Sequence, residues 1–115
     1  LLAKHFNELG ITYIHLAEAD WDDAPTVTET FRQQLRENFS GVIVVAGNYT
    51  LDKADELINN NLVDYVAFGR KFLANPDLPY RLANNLPLND ISDPATLFGG
   101  DERGYTDYPV YGKKI

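Results

Sequence analysis

The sequence predicts a parallel α/β fold that amounts to half of a (β/α)8 barrel. Helix-like and strand-like patterns alternate along the chain, and the strand-like runs recur about every 27 residues, a spacing typical of βα units. That order implies parallel strands joined by right-handed crossovers. The chain has 115 residues, whereas a complete barrel typically needs about 250. A small open α/β sheet is the structural alternative.

The first 40 residues predict a helix, a strand and a second helix. Apolar residues at helical spacing cover Leu2–Leu9. Ile11–Leu16 is short, β-branched and aromatic, which indicates a strand. After a loop, apolar side chains repeat at i, i+4 and i+8 in Phe31–Phe39, and Thr26 or Thr28 is the candidate N-cap of this amphipathic helix.

The next stretch predicts two further strands around a helix. Gly41–Ala46 contains a continuous apolar run, as expected for a parallel strand buried on both faces. Thr50 is the predicted N-cap of a helix whose apolar stripe lies within Leu51–Ile58. Asp64–Gly69 is the third predicted strand.

The regular pattern of helices and strands ends at about Asn84. Arg70–Leu73 predicts one helical turn, and Asn75-Pro76 predicts the N-cap and first residue of a last helix that reaches about Asn84. Prolines and glycines interrupt the pattern beyond it. We therefore expect residues 1–89 to form a partial barrel of three βα units and residues 90–115 to form a tail that packs on it.

Composition excludes several classes of function. Net charge is −7, with 17 acidic against 10 basic residues, which argues against a nucleic-acid partner. The chain has no cysteine, so disulfides, thiolate zinc sites and cysteine nucleophiles are excluded. It has no apolar run near the roughly 20 residues of a membrane span. Because the chain lacks methionine and begins as though inside a helix, we expect a fragment. A reducing cytoplasm fits the absence of cysteine.

Two predicted strand ends carry the strongest signal for chemistry. The second strand runs into Ala46-Gly47-Asn48, and the third runs into Gly69-Arg70. Glycine allows the backbone to approach a ligand closely, helix N-termini attract anions, and arginine suits phosphate. In (β/α)8 barrels the loops after the last two strands commonly form a phosphate site. The alternative is that both glycines only terminate strands and that Arg70 is a surface residue.

Several strings resemble the Old Yellow Enzyme family of NADH:flavin oxidoreductases, in its N-ethylmaleimide reductase-like branch. They are Tyr13–Trp21, Val45–Thr50, Val66–Arg70, Asn75–Leu78 and Phe98–Pro109. The resemblance covers nearly the whole chain in the right order. It implies that the predicted strands are the sixth, seventh and eighth of the barrel, so that the chain is its C-terminal half.

The resemblance implies an FMN-binding role for this half. Backbone N–H groups of Ala46, Gly47 and Asn48 would hold the FMN phosphate, and Gly69 and Arg70 would complete the grip. Asn48 stands where relatives often have alanine, which matters little for a backbone contact.

Two aromatic residues also match family positions. Trp21 resembles a tryptophan that lines the substrate side of the pocket, although a loop aromatic that plugs a core edge is the alternative. Phe98 falls near the flavin edge, where relatives often have tyrosine; it can pack there but cannot donate a hydrogen bond.

In the family, hydride passes from NADPH to the flavin and then to an activated alkene or a nitro compound. The residues that bind the substrate and donate the proton lie on earlier strands, so we expect no catalytic residue here. The partners are then a small-molecule substrate and the missing N-terminal half of the barrel. The resemblance therefore predicts an FMN-dependent ene reductase whose isolated fragment is inactive.

Other interpretations remain open at this stage. His5 and His15 lack the spacing of a metal pair, and no metal site is expected. A non-catalytic half-barrel that serves binding or assembly is one alternative. Another is a different phosphate-binding barrel, such as an aldolase or isomerase, for which Glu18 is the one acid at a strand end. An uncovered apolar sheet face predicts either self-association or coverage by the tail from Asp90.

Overall fold

The structure, a computed structural model, describes residues 2–19 and 24–112. It forms two compact units, Leu1–Ala67 and Phe68–Ile115. Along the first unit, helices and strands alternate: α1 (Leu2–Glu8), β1 (Tyr13–Ala17), α2 (Glu29–Asn38), β2 (Val42–Ala46), α3 (Leu51–Asn59) and β3 (Tyr65–Ala67). The three strands form one parallel sheet in the order β1-β2-β3. The predicted alternation and strand direction are confirmed, and the arrangement is consistent with a partial barrel.

The register brings the carboxyl ends of the strands to one edge of the sheet. Ala17 on β1 pairs with Ala46 on β2, and Ala46 pairs in turn with Ala67 on β3. The residues that follow β1 and β2, Glu18 and Gly47, therefore leave the sheet side by side. In parallel α/β proteins this is the edge at which ligands bind.

The two faces of the sheet differ in burial. Ile43 and Val45 on the central strand are fully buried. On the opposite face, Tyr13 is 57% and Tyr65 is 64% exposed. The other described residues of this unit that are apolar and buried are Phe39, Tyr49, Ala54, Leu57, Leu62 and Val63. One face thus supports the core of the unit and the other faces solvent, as the sequence predicts for a sheet with helices on one side.

Side-chain caps fix the starts of the two longer helices. The Thr28 hydroxyl accepts a hydrogen bond from the Phe31 N–H over 3.1 Å, and the Thr50 hydroxyl accepts one from the Lys53 N–H over 3.2 Å. Each satisfies a backbone donor that has no partner inside the helix. Both predicted caps are confirmed, and Thr28 rather than Thr26 begins α2.

Helix α2 buries only part of the face that its apolar spacing predicted. Phe39 is 1% exposed, but Phe31 is 47% exposed and Arg32 only 7%. Arg32 shares a helix face with Leu35 and Phe39 at i, i+3 and i+7. A guanidinium is therefore buried beside the apolar residues of this face.

The second unit contains two short helices, α4 (Arg70–Ala74) and α5 (Leu78–Ala83), and a 3-10 turn at Pro94–Thr96. The predicted start of the last helix at Asn75-Pro76 is wrong, because Asn75 ends α4 and Asp77 precedes α5. The Asn75 side chain is fully buried. Its amide donates to the carbonyls of Lys71 and Asn89 and accepts from the Asn89 N–H. This amide holds the following segment instead of capping α5.

Two negative findings apply to the described ranges 2–19 and 24–112. None of the helices there is long and apolar enough to cross a membrane. Side chains of His, Cys, Asp and Glu do not form a group of three or more that could hold a metal ion.

Candidate functional site

The loop after β2 has the features of an anion-binding loop. Gly47 and Asn48 connect the end of β2 to the Thr50 cap of α3. Among the described residues, the backbone N–H groups of Gly47 and Asn48 donate no hydrogen bond to the protein. Asn48 is exposed. Two unpaired donors beside a helix start suit an anionic oxygen such as that of a phosphate.

Gly47 is closely packed on the protein side. A Cβ atom added to it would lie 3.3 Å from Glu18 Cβ, 3.4 Å from Tyr49 Cε2 and 3.5 Å from the Glu18 carbonyl oxygen. A side chain here would require Glu18 to shift by a few tenths of an ångström. Glycine therefore suits the close approach of the loop to the segment that follows β1.

Three polar side chains next to this loop are joined by hydrogen bonds. The Arg32 Nη2 donates to Glu18 Oε1 over 2.5 Å, and the Tyr49 hydroxyl donates to Glu18 Oε2. The Arg32 side chain is 8% and the Glu18 side chain 15% exposed, and Tyr49 is buried. We call this group the Glu18–Arg32–Tyr49 cluster.

Burial and pairing fix the charge states in the cluster. Burial, followed by the hydrogen bond to Glu18, raises the pKa of Tyr49 above its ordinary value of 10.0. Burial opposes the charge on Arg32, but the hydrogen bond to Glu18 and the other interactions with Glu18 and Tyr49 raise its pKa overall. At neutral pH Tyr49 is therefore a neutral donor and Arg32 a cation. Within the described part of the chain, Arg32 Nη1 is buried without a hydrogen-bond partner.

The second unit places the other predicted phosphate residues at the start of α4. Gly69 is the N-cap residue and has no side-chain cap bond, and Arg70 is the first helical residue and is exposed. A Cβ added to Gly69 would meet no atom within 4 Å. Gly69 also lines a cavity of about 410 Å³ whose other lining residues are Phe72, Leu73, Pro76, Tyr105, Thr106 and Tyr108. The expected convergence of Gly69 and Arg70 with Gly47 and Asn48 stays a prediction.

Phe98 and Trp21 are the two aromatic candidates. Phe98 is 92% exposed, so its ring is available to a ligand. Trp21 lies outside the described residues, and its expected place beside the substrate stays a prediction.

Sequence reasoning missed the supporting cluster. The sequence marks Glu18 only as a possible free acid of another enzyme class, and it marks neither Arg32 nor Tyr49 as functional. The signal for Arg32 was its i, i+3, i+7 spacing with Leu35 and Phe39, which predicts a buried position.

A parallel βα segment whose loop presents backbone donors at a strand's carboxyl end is characteristic of the phosphate-binding (β/α)8-barrel enzymes. The sequence matches the NADH:flavin oxidoreductase / NADH oxidase family over residues 2–89. The chain belongs to that family, and the resemblance to Old Yellow Enzymes is confirmed.

Individual relatives agree with this assignment. The chain is 37% identical over 112 residues to a 12-oxophytodienoate reductase-like protein of Solanum lycopersicum, covering 94% of this chain and 29% of the relative. The structure of this chain is similar to that of a morphinone reductase, with a TM-score of 0.86. The two sequences are 44% identical, and the match covers 95% of this chain and 29% of the morphinone reductase. The Old Yellow Enzyme from Trypanosoma cruzi gives a TM-score of 0.80 and 35% identity, covering 96% and 29%. The chain thus spans less than a third of these proteins.

Proposed function

We propose that this chain holds the phosphate of FMN within an FMN-dependent ene reductase that takes hydride from NADPH. The observation that carries the proposal is the pair of backbone N–H groups at Gly47 and Asn48, at the carboxyl end of β2, which have no hydrogen-bond partner among the described residues. Membership in the NADH:flavin oxidoreductase family supports a flavin as the cofactor. A phosphate gains charge-assisted hydrogen bonds from such donors, and these are about twice as strong as neutral ones.

Each candidate residue has a role in this proposal. Ala46, Gly47 and Asn48 offer their backbone to the phosphate, and Gly69 and Arg70 are assigned to the same cofactor by family resemblance. Phe98 would pack against the flavin edge, and Trp21 would line the substrate side. Because Phe98 lacks a hydroxyl, that position contributes packing rather than a proton or a hydrogen bond.

The flavin supplies the hydride chemistry when it is bound, and the protein supplies binding and orientation. The residues of this chain bind and orient the cofactor and line one side of the substrate pocket. The ligands of the substrate oxygen and the proton donor belong to the N-terminal half of the barrel that the family resemblance implies. We assign activated alkenes and nitro compounds as substrates of the whole protein, with β1 to β3 as the sixth to eighth barrel strands. A reducing cytoplasm fits the absence of cysteine.

A non-catalytic assembly module is the second candidate, and the exposed sheet face favours it. Tyr13 and Tyr65 present large apolar surfaces to solvent on one side of the sheet. A half-barrel that pairs with another copy would cover them. The aldolase or isomerase alternative is disfavoured, because Glu18 is bonded to Arg32 and Tyr49 and is not a free acid.

Comparing FMN with riboflavin tests the proposal, because the two differ by the phosphate alone. Titrations followed by flavin fluorescence should give FMN a lower dissociation constant by about tenfold or more, since hydrogen bonds to a charged group are worth about 1.5–3 kcal/mol. The Asn48→Ala variant is the matched control. It keeps the backbone N–H and should keep the preference. Equal affinities of the two flavins for the parent chain would contradict the proposal.

A further inference from the structure

The Glu18–Arg32–Tyr49 cluster contacts the Gly47–Asn48 loop at both of its ends. At the first end, the Glu18 N–H donates to the Ala46 carbonyl over 2.7 Å. At the second end, the Glu18 carboxylate accepts from the hydroxyl of Tyr49, the residue directly after Asn48. A single residue therefore holds both flanks of a two-residue loop.

Packing adds a third constraint on the same loop. A Cβ atom on Gly47 would lie 3.3 Å from Glu18 Cβ and 3.4 Å from the Tyr49 ring, so the loop packs closely against the segment after β1. The ends of the loop are bonded to Glu18. These contacts limit the directions of the Gly47 and Asn48 N–H groups, which donate to no other described residue.

Stability alone is a poor explanation for this cluster. Removing charges from water is costly, and apolar residues of similar volume often replace a buried ion pair without loss of stability. The cluster also leaves Arg32 Nη1 buried without a partner among the described residues, which carries a further penalty. Because the cluster has these energetic costs, its role in orienting the Gly47–Asn48 loop explains it better than a contribution to stability does.

The charges of the Glu18–Arg32–Tyr49 cluster also support a role in orienting the loop. A carboxylate beside a phosphate site would repel the dianion. The Arg32 guanidinium pairs with the Glu18 carboxylate over 2.5 Å, so the cluster carries a compensated charge. Glu18 can then fix the loop without opposing the ligand.

We infer that Glu18, Arg32 and Tyr49 are positioning residues that orient the Gly47 and Asn48 N–H groups toward the flavin phosphate. This inference rests on the proposed function, because it assumes that the loop binds that phosphate. Arg32 aims the Glu18 carboxylate, Glu18 holds both ends of the loop, and Tyr49 links the loop to the carboxylate.

The test compares variants of the cluster with a matched ion-pair variant elsewhere in the unit. Tyr49→Phe removes one hydroxyl and keeps the ring against Gly47, and Glu18→Gln removes the charge. Arg36→Gln is the control. Arg36 lies one turn after Arg32 on α2 and pairs with Asp64 over 2.8 Å, but it donates to the Gly41 and Asn61 carbonyls, near the amino end of β2.

Two readouts are measured on the 115-residue chain. The first is the ratio of riboflavin to FMN dissociation constants, which should fall by about tenfold in both cluster variants, as for the partners that orient metal ligands. The second is the shift of the Gly47 and Asn48 amide signals in nitrogen-15 spectra on adding FMN. These shifts should shrink in the cluster variants and persist in Arg36→Gln. Far-ultraviolet circular dichroism confirms that each variant is folded.

The outcomes separate this inference from the function on which it rests. If the parent chain prefers FMN and Tyr49→Phe keeps the ratio and the amide shifts, the positioning role is overturned and the proposed function stands. The positioning role is also overturned if the ratio of riboflavin to FMN dissociation constants falls as much in Arg36→Gln as in the cluster variants. If the parent chain shows no preference for FMN, both are overturned. Should Glu18→Gln fail to fold, the milder Tyr49→Phe decides.

Discussion

The Arg81 guanidinium donates a hydrogen bond to the carbonyl oxygen of Pro109 over 2.9 Å, which ties α5 to the last described segment. Arg81 is 3% exposed, and its guanidinium also pairs with Asp77 over 2.8 Å. The Asn89 amide reaches the same Pro109 carbonyl over 3.0 Å. Asn89 in turn is held by Asn75. The second unit is thus organised by buried polar groups rather than by a large apolar core.

Replacing Asn75 by alanine should destabilise this unit by about 2 kcal/mol, because the Asn89 N–H and two carbonyls then lose their partner in a buried site. Urea denaturation measures the loss. Asn84→Ala is the control, since Asn84 also donates to the carbonyl four residues earlier but is exposed. Amide exchange at Asn89 should accelerate in the first variant only. Equal effects of the two variants would show that the buried network is not the cause.

Acid should weaken the first unit through Asp64. The hydrogen bond from Arg36, then that from the Ile43 N–H, lowers the pKa of Asp64 below its ordinary value of 3.8. The stabilisation is therefore fully present above the unfolded pKa and is lost as pH falls through the lower folded pKa. Because the side chain is 36% exposed, we expect only about 1 kcal/mol.

Unfolding free energies between about pH 5 and pH 2 measure this effect. Asp64→Asn should flatten the acid limb of the profile. Asp55→Asn, on the exposed side of α3, should leave the profile unchanged. An acid limb that is identical in the parent chain and in Asp64→Asn would contradict the assignment.

The isolated chain should not oxidise NADPH with cyclohexenone faster than free FMN does. The expected substrate-oxygen ligands and proton donor lie on barrel strands that precede this segment in the family. Absorbance at the NADPH band measures the rate, and a morphinone reductase serves as the positive control. Turnover clearly above that of free FMN would place the chemistry in this chain instead.

The exposed sheet face should make the chain self-associate. Tyr13 and Tyr65 lie on that face, 57% and 64% exposed, and covering such a side chain is worth about 1.5–3 kcal/mol. Sedimentation should therefore show a mass that falls on dilution. Tyr65→Glu should favour the monomer, whereas Tyr80→Glu, at a tyrosine of α5 with a similar exposure of 57%, should not. A parent chain that stays monomeric at all concentrations would contradict this.

Local patterns were sufficient for much of the fold. The alternating helices and strands, the parallel strand direction and the caps at Thr28 and Thr50 follow from interactions between residues a few positions apart. The family assignment followed from strings of the same kind. The loop at Gly47 and Asn48 was also placed correctly at the end of β2, because a strand boundary is a local feature.

The helix boundary at Asn75 and the partner of the buried Arg32 could not be predicted in this way. Asn75 carries the usual signature of a helix N-cap, yet its amide bonds to Asn89, 14 positions away. Arg32 pairs with Glu18 across 14 positions, and Tyr49 reaches Glu18 across 31. The sequence by itself determined the order and type of the elements, since these depend on short-range spacing. Only the tertiary structure decided which polar side chains are buried together, because their partners come from segments that meet only when the chain folds.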